Sequence, residues 1–107
     1  MSYNTSPFYP APTWSGSSAV ASQALTVTST ATASFTTTFN IATEMVIIDV
    51  QESNVWATFD GSTPATRTAH ILYAGLAYTW SRKTASQAKF KATTTANSYI
   101  VASEFQI

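Results

Sequence analysis

The chain contains no cysteine, only three glycines and a single histidine. The absence of cysteine excludes disulfides, a thiolate nucleophile and zinc sites of the cysteine type. Glycines at positions 16, 61 and 75 cannot by themselves build a glycine-rich phosphate-binding loop. With His70 as the only histidine, sites that need several histidines are excluded as well. Stability must therefore come from packing, β-sheet hydrogen bonds or association.

Charged residues are also scarce, at 9% of the chain, and five basic residues balance five acidic ones. There is no basic field that would gather nucleic acid or anionic lipid, so we predict neither partner. No apolar run approaches the roughly 20 residues of a membrane span, and the N-terminus has neither the basic nor the apolar region of a signal peptide. The sequence thus predicts a soluble protein without a secretion signal.

The few charges are segregated along the chain. The basic block contains Arg67, Arg82, Lys83, Lys89 and Lys91, whereas Glu44, Asp49, Glu52 and Asp60 precede it and Glu104 follows it. A segregated pattern can give complementary faces in an oligomer, and it can also arise by chance in so short a chain. The sequence leaves both readings open.

What the chain has in abundance is Thr, Ser and Ala, which together make up close to half of it. Hydrophobic residues account for 45% and aromatic residues for 13%, more than intrinsically disordered chains carry. A length of 107 residues suits one domain with one core. We therefore expect a single folded domain whose surface is covered by hydroxyl and methyl groups.

Residues 1–20 differ in composition from the rest, because they hold three of the four prolines and four aromatic side chains. Proline fixes its own φ and pushes the preceding residue toward extended conformations. We therefore predict an extended N-terminal arm over residues 1–20, followed by a β-domain over residues 21–107. At about 3.3 Å per residue the arm can extend about 60 Å, so its rings can cover either its own domain or a neighbouring molecule.

From residue 24 onward, apolar residues alternate with threonine and serine, which is the period of a strand with one wet face. Residues 44–51, EMVIIDVQ, are apolar on both sides, as in a central strand covered on both faces. No window has the period of a helix. The sequence predicts an all-β fold, with about eight strands in an antiparallel β-sandwich or barrel of the jelly-roll type. The predicted strands cover residues 24–30, 33–41, 44–51, 54–59, 69–74, 77–81, 87–92 and 98–105.

The stretch TFDGSTP places an Asp60-Gly61 pair directly after a strand pattern. Gly61 can adopt the positive φ that a tight turn needs, so we predict a turn here. Asp60, Ser62 and His70 supply the residue types of a catalytic triad, but no strand-to-helix nucleophile elbow accompanies them, and we predict no catalytic residue. His70 is instead expected to be a structural histidine, hydrogen-bonded at a sheet edge or an interface.

Glu44, Asp49 and Glu52 could be combined into a cation site, but their spacing lacks the alternating acidic loop typical of calcium sites. Asp49 interrupts the most apolar strand, and a buried carboxylate there would need an arginine or backbone donors as partners. The sequence predicts no metal and no cofactor.

The blocks TFDGSTP, AHILYAG, YTWSR, AKFKAT and IVASEF follow one another in an order that resembles small β-structured virion proteins of tailed bacteriophages, in particular those of the head decoration type. The resemblance covers about residues 50–107, and its motifs are turns and core positions rather than catalytic groups. Ala69 stands before His70 where the pattern has glycine.

This resemblance implies a capsid decoration, or cement, protein that binds the major capsid protein on the outer surface of the phage head and stabilises it. Such a protein is made in the host cytoplasm and becomes part of the virion, commonly as a homotrimer. It needs no catalysis and no cofactor, so we predict that the chain is not an enzyme. We assign the capsid contacts to Phe8, Tyr9 and Trp14 of the arm, and to Arg82 and Lys83 in the loop after YTWS.

Two other classes of function remain open. A carbohydrate- or receptor-binding module of a phage tail or head fibre would stack sugars on exposed rings, with Trp56, Trp80 and Tyr78 as candidates. Tryptophans in such strand patterns are more often core or interface residues. A small hydrolase of the cell envelope is the enzymatic alternative.

Overall fold

A computed structural model describes residues 18–106 of the protein, which form seven β-strands and one short helix. The elements are β1 (Ser18–Val27), β2 (Met45–Gln51), β3 (Val55–Thr58), β4 (His70–Leu72), β5 (Ala77–Ser81), α1 (Arg82–Gln87), β6 (Lys89–Ala92) and β7 (Ser98–Gln106). Because β1 begins at Ser18, residues 18–20 of the predicted arm belong to this strand. The rest of the predicted arm lies outside the described residues.

The described strands pair in antiparallel fashion and form two sheets. One sheet has four strands in the order β1, β7, β2, β5, and the other has three in the order β4, β3, β6. Buried side chains from both sheets form one hydrophobic core. The prediction of an all-β fold is therefore confirmed, and the architecture is a sandwich of two sheets.

The central strand β2 shows how the sequence pattern builds the sandwich. Val46, Ile48 and Val50 are fully buried and face the second sheet, whereas Ile47 and Asp49 point to the other side and are half-buried. Strand β2 lies between β7 and β5, which confirms its predicted central position. The prediction that both of its faces are covered is wrong, because only the face toward the second sheet is fully buried. Asp49 is not a core carboxylate, because its side chain lies on the outer face and accepts a hydrogen bond of 3.1 Å from the Gln51 amide.

Aromatic rings join the two sheets through the core. Trp80 of β5 lies parallel to Phe90 of β6, with ring centroids 6.2 Å apart, and meets the Phe59 ring edge-on at 5.0 Å. Phe90 also contacts Phe35 at 5.5 Å, and Phe35 contacts Phe39 at 5.5 Å. Edge-to-face and stacked pairs contribute beyond the apolar area that they bury. This chain of rings, which we call the aromatic bridge, crosses from one sheet to the other.

The predicted strand over residues 33–41 is wrong. This segment makes one isolated bridge, in which Ala33 and Phe90 exchange backbone hydrogen bonds of 2.9 and 2.8 Å, and then continues without strand pairing. The Gln23 side chain holds it to β1, because its amide donates to the Thr37 carbonyl and its oxygen accepts from the Thr37 N–H.

The alternation of apolar residues in this segment does not produce the strand face that we predicted. Phe35 and Phe39 turn into the core, while Ile41, which the same alternation would bury, is 86% exposed. A side chain can form the backbone hydrogen bonds that a neighbouring strand would otherwise form. The periodicity of the sequence does not show where this happens.

The helix α1 was not predicted, and it corrects the assignment of Arg82 and Lys83 to a loop. The Ser81 hydroxyl caps the helix by accepting a hydrogen bond from the Thr84 N–H at 3.2 Å. Ala85 is its buried residue. Six residues are too few to show a helical period, so only the cap pattern could have indicated the helix.

Glu104 of β7 is a carboxylate buried in the sandwich, with 2% of its surface exposed. Its Oε1 accepts hydrogen bonds from the Asn40 N–H at 2.8 Å and from the Thr43 hydroxyl at 2.7 Å. The Glu44 N–H adds a backbone bond of 2.9 Å to the Phe105 carbonyl. Buried polar groups must find such partners, so Glu104 fastens the segment before β2 to β7.

Replacing Phe90 with alanine should lower the free energy of unfolding by about 3 to 5 kcal/mol, because its fully buried ring contacts Trp80 and Phe35. Urea denaturation followed by tryptophan fluorescence measures the change. The control variant Ile41→Ala, at a position that is 86% exposed, should change stability by less than about 0.5 kcal/mol. A loss below about 1 kcal/mol for Phe90→Ala would show that the aromatic bridge does not hold the sheets together.

Candidate functional site

The Asp60-Gly61 pair forms a turn after β3, as the sequence predicts. Gly61 has a φ of 87°, which glycine adopts without strain. The Asp60 carboxylate accepts hydrogen bonds from the Ser62 N–H at 3.0 Å and from the Ser62 hydroxyl at 2.6 Å. The Thr58 hydroxyl donates to the Ser62 carbonyl. Short polar side chains thus build this turn through local hydrogen bonds.

A shallow depression of about 300 Å³ opens beside the turn, and its lining includes all three residues of the hypothetical triad. The imidazole of His70 lies against the Phe59 ring, with ring centroids 5.5 Å apart. His70 is exposed at the start of β4, which is an edge strand. Its predicted position at a sheet edge is confirmed, and its neighbour there is an aromatic ring.

The hydrogen bonds in the depression do not have the order of a catalytic triad. In a triad the serine hydroxyl donates to the imidazole, and the imidazole donates to the carboxylate. Here the Ser62 hydroxyl donates directly to the Asp60 carboxylate. The proximity of Asp60, Ser62 and His70 therefore comes from the turn and the edge strand that follows it.

The pKa of Asp60 lies below its ordinary value of 3.8, chiefly because the Ser62 hydroxyl and then the Ser62 N–H donate hydrogen bonds to the ionised carboxylate. A lowered pKa means that ionised Asp60 favours the folded state above pH 3.8, and that this contribution is lost as the pH falls through the folded-state pKa. Because Asp60 is fully exposed, its role is local to the turn.

The acidic residues suggested as a cation site are not brought together. Glu44 and Glu52 lie directly before and after β2, and Asp49 lies within it. At about 3.3 Å per residue, the two ends of this stretch are roughly 26 Å apart. Within residues 18–106, no three His, Asp or Glu side chains form a group that could hold a metal ion.

The first residue of β1 and the two predicted cationic contacts lie at one end of the four-stranded sheet. A row of paired residues crosses the sheet there and contains Ala19, Phe105, Met45 and Ser81. Ser18 and Arg82 directly adjoin the two ends of this row. Three strand spacings of about 4.8 Å separate them by roughly 14 Å. We call this end of the sheet the contact end.

Arg82 and Lys83 are exposed in the first turn of α1, at the contact end. A positive charge near a helix N-terminus is electrostatically unfavourable, because the N–H groups there already carry partial positive charge. These two cations therefore do not stabilise the helix that carries them. The other predicted contacts, Phe8, Tyr9 and Trp14, lie outside the described residues.

Two of the three candidate sugar-stacking rings belong to the core. Trp80 is part of the aromatic bridge, and Tyr78 packs against the core while its hydroxyl accepts a hydrogen bond of 2.9 Å from the Tyr73 N–H. Trp56 differs, because it lies on the outer face of the three-stranded sheet, paired with Ile71 on one side and Lys91 on the other.

The outer face of the four-stranded sheet is almost uncharged. Its outward residues include Ala24, Thr26, Ile47, Asp49, Ala77, Thr79, Tyr99, Val101 and Ser103. Asp49 is the one charged residue among them, and it lies at the centre of a row in which it pairs with Val101 and Ala77. We call this surface the Asp49 face.

The outer face of the three-stranded sheet carries the opposite charge. Lys91 and Lys89 of β6 pair with Trp56 and Thr58 of β3, so both lysines lie on the same side as the Trp56 ring. Ile71, paired with Trp56, is 39% exposed, and Tyr73, two residues beyond it, is 51% exposed. We call this surface the lysine face.

Tyr73 and Tyr99 were not predicted as surface residues, although they are 51% and 40% exposed. Alternation in the two strand patterns separates each tyrosine from buried neighbours, Leu72 and Ile100. That alternation was the available signal. The alternation shows that neighbouring residues point to opposite sides of a strand, but it does not show which side is covered by the rest of the protein.

No protein-family model matches the chain, and no curated protein and no solved structure matches it either. The resemblance of residues 50–107 to phage virion proteins therefore stays a prediction, and so does the role that it implies. No helix within residues 18–106 is long and apolar enough to cross a membrane.

Replacing Ser62 with alanine should raise the pKa of Asp60 toward 3.8, because the variant loses the side-chain hydrogen bond that contributes most to the lowering. NMR titration of the Asp60 carboxyl carbon measures this pKa. Thr63→Ala, one residue further along the same exposed turn, is the matched control and should leave the value unchanged. An unaltered pKa in Ser62→Ala would contradict the assigned cause.

Proposed function

We propose that the protein is a structural component of a bacteriophage virion: a capsid decoration, or cement, protein that binds the major capsid protein on the outer surface of the head. The resemblance of residues 50–107 suggests this class. The structural observation that carries the proposal is the contact end, where the first residue of β1 and the exposed Arg82 and Lys83 adjoin the same row of the large sheet. Residues 1–17 and α1 can therefore reach one partner surface.

The area of the contact end explains why the arm would be needed. Four strands at about 4.8 Å and two sheets about 10 Å apart give the end of a sandwich an area on the order of 200 to 300 Å². A stable interface buries about 800 Å² on each partner. Phe8, Tyr9 and Trp14 can each bury about 150 to 250 Å², which supplies the difference. The arm would thus provide most of the contact area.

Arg82 and Lys83 would make binding selective for an acidic surface and would raise the rate of association with it. Two adjacent exposed cations attract an acidic surface, and charges at the rim of an interface act mainly on the association rate. Because α1 gains nothing from these charges, a partner with acidic groups gives them a physical role. The proposal therefore predicts an acidic patch on the capsid surface next to an apolar groove for the arm.

The mechanism of stabilisation is mechanical and needs no catalytic residue or cofactor. The aromatic bridge gives the module a rigid core, and its contacts would hold neighbouring shell subunits together against internal pressure. As a homotrimer, the protein would present three contact ends, and several linked contacts dissociate far more slowly than one. The chain would be made in the host cytoplasm and function in the virion, with no nucleic-acid or membrane partner.

The test is co-sedimentation of the purified full chain with heads that lack it, assembled from the major capsid protein of the same virus. The triple variant Phe8→Ala/Tyr9→Ala/Trp14→Ala should bind at least about tenfold more weakly, because it removes most of the proposed contact area. The matched control, Thr5→Ala/Ser6→Ala/Thr13→Ala, alters the same arm without removing a ring and should bind normally. Equal binding by both variants would overturn the role of the arm.

A second variant in the same assay tests the cations. Arg82→Glu/Lys83→Glu should weaken binding, most strongly at low salt, while its Tm stays equal or rises slightly, because acidic residues suit a helix N-terminus. Thr95→Glu/Ala96→Glu adds negative charge in the loop before β7, away from the contact end, and should bind normally. Failure of the unaltered protein to bind the heads would refute the decoration role itself.

A carbohydrate-binding module is the second candidate, and one observation favours it: Trp56 lies on an outer face beside the exposed Ile71 and Tyr73. Sugars stack on such rings. The candidate residues then become Trp56 and Tyr73, since Trp80 and Tyr78 pack against the core. A glycan-array signal from a protein that does not bind heads would favour this function over the decoration role.

A further inference from the structure

The two outer faces of the sandwich carry opposite charges. The Asp49 face has one carboxylate at its centre, and the strand that carries it is preceded by Glu44 and followed by Glu52. The lysine face has Lys89 and Lys91. Of the charges that are segregated in the sequence, Asp49 and the two lysines therefore lie on opposite sides of the molecule. We propose that these faces bind one another between copies of the chain, with the Asp49 face of one protomer against the lysine face of the next.

The positions of the charges suit such a contact. Lys89 and Lys91 are two residues apart on one strand, about 6.6 Å along β6, and both are half-buried beside apolar groups. Asp49 is half-buried among Ile47, Val101 and Ala77. A charge that is partly shielded from water interacts more strongly with a counter-charge brought close to it. Each face can therefore attract the other at the centre of its surface.

The groups around the charges match as well. Tyr99, Val101 and Ile47 surround Asp49, while Trp56 and Ile71 accompany the lysines. Interface centres are typically rich in aromatic and aliphatic groups and poor in charge. Pairing unlike faces buries both apolar surfaces and neutralises charge. Pairing two Asp49 faces or two lysine faces would bring like charges together, which disfavours both pairings.

A contact between unlike faces leaves one free face of each kind, so association continues until a ring closes or a stack forms. Because both lysines lie on β6, an edge strand, the contact is displaced toward one side of the molecule, and the two contact surfaces need not be parallel. A ring can then close. This inference rests on the homo-oligomer of the proposed function and identifies the two faces that join its subunits. The contact end takes no part in this interface and stays free for the capsid.

The experiment is light scattering on the full chain after size-exclusion chromatography over a range of concentrations. The unaltered protein should have a mass that is a multiple of 11.5 kDa. Asp49→Lys and Lys91→Glu should each weaken association by about tenfold or more, and the double variant Asp49→Lys/Lys91→Glu should restore it, because the charges are exchanged. Restoration would also show that the single variants are folded. Arg67→Glu makes the same charge reversal at an exposed residue outside every strand of both sheets, so it is the matched control and should keep the full mass.

Three results would overturn the inference: a monomeric unaltered protein at every concentration, an oligomer that survives Lys91→Glu, or a double variant no better than the singles. A mass that keeps rising with protein concentration would support the contact between unlike faces and overturn the prediction of a closed trimer. Binding of the same variants to heads is measured separately. A charge-exchanged oligomer that does not bind heads would refute the decoration role alone, whereas a monomer that binds heads would refute this inference alone.

Discussion

The stacking of Trp80 on Phe90 is the contact on which the rest of the structure depends. Trp80 belongs to the four-stranded sheet and Phe90 to the three-stranded sheet, so their rings, 6.2 Å apart, determine how the two sheets lie against each other. Phe59 and Phe35 extend the bridge on either side. A chain of this size without disulfides must stabilise its fold by packing, and large rings bury the most area per residue.

Once the sheets are fixed in this way, the positions of the charges follow. Asp49 alternates with the core residues Ile48 and Val50, and Lys91 alternates with Phe90 and Ala92, so each charge must point away from the common core. The scarcity of charge leaves the outer faces broad and mostly apolar. Interface centres are typically poor in charge, which is compatible with the proposed association of these faces. The polar depression around Asp60 is organised by the turn itself.

Much of the fold could be predicted, because strand formation and burial depend on local alternation. Strand β2 is central as its sequence indicates, although only one of its faces is fully buried, and Gly61 forms its predicted turn. Residues 33–41 could not be predicted in the same way, because the Gln23 side chain supplies hydrogen bonds that a neighbouring strand would otherwise provide. Helix α1 escaped prediction because its six residues show a cap but no period. Among the candidate site residues, Arg82 and Lys83 could be selected from the sequence. Their position at the contact end, close to the start of β1, could not.

The sequence by itself determined the absence of disulfides, the all-β class, the near-neutral surface and the separation of basic from acidic residues along the chain. These properties depend on composition and short-range pattern. Only the tertiary structure decided which tryptophan faces the core, which face of each sheet remains outside, and that Asp49 lies on the face opposite to Lys89 and Lys91. Those outcomes depend on pairing between strands distant in sequence, such as β1 with β7, and on the docking of one sheet on the other, which no local period encodes.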